Sequence, residues 1–186
     1  MKKTLVMLML VAASFTVAAS TAFAQNGNPM VGGAAMYSNK DIVDNAVNSA
    51  DHTTLVAAVK AADLVATLKS KGPFTVFAPT NAAFDKLPAG TVEMLVKPEN
   101  KAMLTKILTY HVVAGKYDAK KLMKLIQKGG GSASLKTVSG GTLMAMMSGD
   151  LLVLRDEKGN TSNVTIADVR QSNGVIHVID TVVMPN

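Results

Sequence analysis

Apolar positions along the chain change their period once, and that change predicts the fold class. Between residues 42 and 126 they recur mostly three and four apart; from Leu135 onward they alternate or form short blocks between turn residues. Ile42, Val43, Ala46 and Val47 share one helical face, and Ser38 with Asp41 has capping-box spacing ahead of them, with Asp in place of the usual Glu. A first helix is expected there. Leu55, Val56, Val59, Leu64, Val65 and Leu68 continue the helical spacing, with a break near Asp63, until Gly72-Pro73 stops it. Phe74 to Ala78 is a β-prone run between two prolines, after which Thr80 or Asn81 can cap a brief helix through Leu87. Met103, Leu104, Ile107 and Leu108 mark another helix, which yields at Tyr110 to a β-prone stretch ending at Gly115. A last helix from about Asp118 to Gln127 turns Leu122, Leu125 and Ile126 inward.

Beyond the Gly129 to Gly131 loop, Leu135 to Val138, Thr142 to Met147, Leu151 to Arg155, Val164 to Val169 and Val175 to Val182 read as successive strands. Ser139-Gly140-Gly141, Ser148-Gly149-Asp150, Lys158-Gly159-Asn160 and Asn173-Gly174 separate them as turns. Helices clustered in the first half and consecutive strands in the second imply an α+β domain with a largely antiparallel sheet. There is no internal repeat.

The amino terminus has a different character. Met1-Lys2-Lys3 is positive, Leu5 to Ala13 is an unbroken apolar run, and Ala22-Phe23-Ala24 places small residues where a signal peptidase requires them. Residues 1–24 are expected to be an export signal cleaved before Gln25, 25–37 a flexible Gly- and Asn-rich lead-in, and 38–186 a single domain. The protein is then secreted or periplasmic. Loss of Lys2 and Lys3 lowers the formal charge from +6 to +4. Charged residues at 17% against 48% hydrophobic exclude a disordered chain, and the absence of cysteine excludes disulfide scaffolds and thiolate sites. With no Trp and 4% aromatics there is little for a base to stack on, so nucleic acid is not an expected partner.

Candidate chemistry is sparse. His52, His111 and His177 have no neighbours at metal-ligand spacing, and His177 and Asp180, three apart in a predicted strand, point to opposite faces. No metal, cofactor or catalytic group is expected. Lys120, Lys121, Lys124 and Lys128, with Lys116 nearby, form a basic helix face that is either a solvated surface or a site for an acidic polymer or membrane surface. Met144 and Met146 share a strand face that reads as core filling or as a groove for an apolar ligand. Tyr110-His111, at a helix end, reads as a contact surface or a buried polar bridge.

Three segments together resemble the fasciclin domain family: Thr75-Val-Phe-Ala-Pro-Thr-Asn-Ala-Ala-Phe84 with the Asp85-Lys86-Leu87-Pro88 that follows, Leu108-Thr109-Tyr110-His111-Val112-Val113, and Asn173-Gly-Val-Ile-His-Val-Ile-Asp180. The resemblance spans about Ser38 to Asn186. It implies a wedge-shaped β-sandwich or distorted barrel with flanking helices, and a non-enzymatic adhesion module. In relatives, partner contact is attributed to the Tyr-His segment and to an Asp-Ile pair. Carried over, the contact positions are Tyr110 and His111 with Leu108, Val112 and Val113, and Asp168 with Val169, where Val replaces Ile. Asn81 stands where many relatives have Asp. The expected function is an exported interaction module for cell-surface, matrix or envelope proteins or polysaccharides, with peripheral membrane contact open; the alternative is a periplasmic carrier for a lipid or anionic glycan.

Overall fold

The computed structural model describes residues 28–186. The expected leader, its cleavage point before Gln25 and the first residues of the lead-in lie outside them. In chain order the elements are β1 (Met30–Val31), β2 (Ala34–Ala35), α1 (Ile42–Ala46), α2 (Thr53–Ala61), α3 (Val65–Leu68), β3 (Phe74–Pro79), α4 (Asn81–Asp85), α5 (Thr91–Leu95), α6 (Lys101–Tyr110), β4 (Val112–Ala114), α7 (Ala119–Lys128), β5 (Ser132–Lys136), β6 (Thr142–Ser148), β7 (Leu151–Arg155), β8 (Thr161–Gln171) and β9 (Gly174–Ile179). The α+β expectation holds; α1 to α7 all precede β5, although α6 and α7 lie past the midpoint of the chain.

Seven strands form one mixed sheet in the order β4-β3-β9-β8-β7-β6-β5. All neighbours are antiparallel except β3 and β9, which run parallel in the register Phe77↔His177. The first and last strands nearly meet: Val113 bridges to Thr137, and the Val138 amide donates to the Val112 carbonyl at 2.7 Å. The sheet therefore curls almost into a closed barrel, which removes most of the edge a strand would otherwise expose.

The central strands β3 and β9 are buried on both faces and, apart from Thr75 and His177, almost wholly apolar. Val76, Ala78, Ile176 and Val178 pack against helices, with Leu55, Val59 and Leu104. Phe77 and Ile179 point the other way, into the barrel interior with Leu122, Leu143, Ala145 and Leu154. Burying those large side chains is the main stabilising contribution, at about 1.5–3 kcal/mol each.

Local expectations are refined in several places. The lead-in is not free from residue 28 on: β1 and β2 form a hairpin around Gly32 and Gly33, both at positive φ, and Val31 and Met36 sit in the core. Asp41, not Ser38, caps α1, accepting from the Asp44 amide at 2.8 Å. That helix is one short turn; it buries Ile42 and Asn45 and leaves Val47 exposed, because Asn45 bonds the Tyr37 backbone through both its side-chain oxygen and nitrogen. The break at Asp63 is present, with φ +56. Thr80 caps α4, accepting from the Ala83 amide at 3.2 Å. Strand β8 starts three residues before and ends two after its expected span, bent by register shifts around Asp168 at φ +60, so the pairing outruns the apolar alternation at both ends.

Met144 and Met146 do not fill the core. They occupy the outer, half-buried face of β6, and Leu143 and Ala145, fully buried, fill the interior. Both faces of β6 carry apolar residues, so period two alone could not select the inner one.

Candidate functional site

The positions carried over as partner contacts lie inside the protein. Tyr110 ends α6, and its ring projects into the barrel interior, fully buried, against Gly141, where a Cβ would fall 2.8 Å from the ring. Its hydroxyl donates to the Thr142 carbonyl at 2.6 Å and accepts from the Glu157 amide at 3.2 Å. Burial pushes this phenol up to about 12. Thus the ring clamps α6 onto the β5–β6 turn, and the hydroxyl bonds two backbone groups at once.

His111 is 2% exposed. One ring nitrogen, Nδ1, lies 2.8 Å from the Ile107 carbonyl, and the other, Nε2, accepts from the Val183 amide at 3.2 Å. This pair of partners fixes the neutral Nδ1–H tautomer. Burial pushes the imidazole down to about 4, against the Ile107 hydrogen bond and the Asp156 carboxylate, which both pull it up. Leu108, Val112 and Val113 are likewise buried. Of the two readings open in the sequence, the segment takes the buried polar bridge: it joins α6, β4 and the closing residues.

Asp168 and Val169 are separated by burial. Val169 is fully buried. Asp168, half-buried, accepts the Ala119 amide on Oδ1 at 2.7 Å, while Asp118 accepts the Lys121 amide at 2.8 Å. Two carboxylates thus satisfy amides of the first turn of α7, where the helix dipole also favours negative charge. Asp168 is thus a helix anchor, and Val169 a core residue.

His177 lies in the barrel interior, its ring stacked on Phe77 with centroids 5.6 Å apart. Nε2 lies 2.8 Å from the Tyr117 carbonyl, and Nδ1 faces the Asp168 amide at 3.4 Å. Burial lowers its affinity for a proton. Asp180 points away, holding the Asn163 amide and side chain at 2.9 Å. His52 is buried too, with Nδ1 2.8 Å from the Ser49 hydroxyl, and burial likewise pushes it down. None of the three imidazoles faces solvent as a base or ligand.

The surface tells a different story. Lys116, Lys120, Lys121, Lys124 and Lys128 are all exposed. Lys121 folds over the Tyr117 ring, 4.1 Å from its centroid. No ion pair among the described residues involves any of the five. Leu122 and Ile126 on the opposite side of α7 are buried, so the basic row is held rigidly outward.

Several residues that organise this region carried no chemical signature in the sequence. Glu157 accepts the Thr142 amide at 2.7 Å and the Asn186 amide at 3.2 Å, and these bonds hold its carboxyl below the usual range. Asp156 accepts the Met184 amide at 3.0 Å and both nitrogens of Asn160. Their only legible cue was an Asp opening the Lys158-Gly159-Asn160 turn. Asn173 accepts the Ile42 amide at 3.1 Å and donates to the carbonyls of Leu68 and Ser70. Asn81, on α4, accepts the Thr54 amide at 3.0 Å and donates to the Ala50 carbonyl at 2.8 Å, so it caps α2 and not its own helix.

One concavity borders the Tyr-His segment. Leu108, His111 and Val112 line one part of an apolar cleft of about 90 Å³ between the first helices and the sheet.

A fasciclin domain family model matches residues 50–185. Protein sll1483 of Synechocystis is 47% identical over 174 residues, covering 91% of this chain and 87% of that protein. Cell surface glycolipoprotein MPB83 of Mycobacterium bovis is 38% identical over 123 residues, covering 66% of this chain and 48% of the relative. Among solved structures, a FAS1 domain pair from the insect cell adhesion molecule Fasciclin I superimposes with a TM-score of 0.68 and 22% identity, over 76% of this chain and 50% of that one. This last likeness concerns the fold.

Proposed function

The chain belongs to the fasciclin domain family, and from that premise we propose that it is an exported, non-catalytic interaction module acting at the cell exterior through the basic face of α7. The observation that carries this reading is the row Lys120, Lys124 and Lys128, with Lys116 beside it, exposed and without an acidic neighbour in ion-pair reach among the described residues. Such a row attracts an anionic polysaccharide or an acidic envelope protein, and its pull fades within about 8 Å at physiological salt. A surface glycolipoprotein among the relatives is consistent with an exterior location. The buried imidazoles, each engaged through a ring nitrogen, favour binding over turnover. The buried Tyr-His segment supports the module by holding α6 to the barrel.

Binding of the purified protein to an immobilised sulfated polysaccharide tests the proposal. Retention is expected at about 50 mM salt and loss at about 500 mM, where the Debye length drops to a few Å. A variant carrying Lys120→Gln, Lys121→Gln, Lys124→Gln and Lys128→Gln should elute early with an unchanged melting temperature. Equal retention of the variant and the parent refutes the α7 surface.

A further inference from the structure

The cleft between the first helices and the sheet lies on a different surface from α7. Phe74, Val76 and Ile176 line it from the sheet, and Val56, Leu64 and Val65 from the helices. Those three helical side chains, with Val43, are only half-buried although all are apolar. His111 borders the cleft as well, but both its ring nitrogens are bonded elsewhere, to Ile107 and Val183. The walls therefore offer carbon almost alone.

The cleft, of about 90 Å³, opens to solvent at its rim and is apolar inside. Water is a poor occupant, since an ordered water needs two to four polar partners. Dry apolar cavities of comparable size take up small hydrocarbons. The polar groups stand at the rim: Lys60 and Thr67 line the cleft and are exposed. Lys60 has no carboxylate partner among the described residues, while Asp44 and Asp63 are paired with Lys69 and Lys101. The mouth is thus an apolar slot beside one uncompensated positive charge.

We propose that this cleft binds the hydrocarbon chain of a fatty acid, with the carboxylate at Lys60. A wall made almost wholly of carbon suits a methylene chain, and the Lys60 ammonium distinguishes a carboxylate from a neutral head. Leu108 and Val112 of the family's Tyr-His segment then act as chain-contacting wall.

The test is titration of the purified protein with octanoate, decanoate and dodecanoate below their micelle concentrations, followed by calorimetry and by methyl NMR. Each added methylene that enters the cleft should tighten binding about fourfold until the slot is full. Methyl signals of Val56, Leu64 and Val65 should shift, and those of Met144 and Met146 should stay still. Dodecanol should bind up to about fivefold more weakly than dodecanoate at low salt, and Lys60→Gln should erase that difference. Val65→Phe should weaken every chain; if that variant does not fold, the methyl map of the unaltered protein decides. The proposal is overturned by an absence of saturable binding, by affinity independent of chain length, by shifts confined to the Met144 face, or by equal binding of dodecanoate and dodecanol. The α7 glutamine variant should bind dodecanoate normally, so loss of polysaccharide retention and loss of fatty-acid binding are separate failures.

Discussion

Acidification should weaken the fold through His111, by an amount its surroundings set. The imidazole titrates near 6.5 when unfolded and is pushed by burial to about 4 in the native state. Between those values the unfolded chain binds a proton that the native chain refuses, so stability falls as the pH drops. The contribution is complete above about pH 6.5, falls by half near pH 5.2, and is gone below about pH 4. A displacement of about 2.5 units at 1.36 kcal/mol each is about 3 kcal/mol, a large fraction of a typical domain stability of 5–15 kcal/mol. His52 and His177 are displaced in the same direction and add to the acid sensitivity of the parent protein. The difference between parent and His111→Gln isolates His111, since glutamine offers an amide that can donate to Ile107 and accept from Val183. Urea midpoints at pH 7, 6 and 5 should show the parent losing markedly more stability than the variant. Parallel curves, or a His111 ring proton titrating near pH 6.5 by NMR, would refute the buried neutral bridge.

Tyr110→Phe removes the donor to Thr142 and the acceptor for the Glu157 amide while keeping the ring; urea unfolding should report a loss of about 1–3 kcal/mol. Asp168→Ala removes the acceptor for the Ala119 amide and puts at φ +60 a residue that tolerates the left-handed region less well than Asp. It should cost about 1–2 kcal/mol and speed amide exchange in α7, while Asp168→Asn, which tolerates that φ, should cost less. Leu143→Ala should lose about 2–5 kcal/mol by opening a cavity in the barrel interior, and Met144→Ala, on the outer face, clearly less; equal losses in thermal melts would reverse the strand's facing. Mass spectrometry of the exported protein should find Gln25 at its amino terminus.

Much of the architecture was legible in one dimension. The switch from helical to strand period, the breaks at Asp63 and Gly72, and the glycine-bearing turns placed nearly every element after residue 40, because those signals depend on backbone preferences a few residues long. The helix at Thr91–Leu95 was not legible: with only Leu95 buried, it has too little apolar face to register. The lysine row was also visible, since helical spacing alone puts Lys120, Lys124 and Lys128 opposite Leu122 and Ile126.

What a side chain touches across the chain was decided only by the tertiary fold. Tyr110 and His111 could equally have faced solvent until Thr142, Glu157 and Val183, 32 to 72 residues away, arrived to bond them. Asp168 became a helix anchor because a bend in β8 carries it to Ala119, 49 residues earlier. The apolar cleft belongs to no single segment: α2, α3, α6, β3 and β9 each contribute a wall that looks, in the sequence, like ordinary core. Local preference fixes which residues can be helix or strand, but burial, hydrogen-bond partners and cavities are properties of how those elements meet.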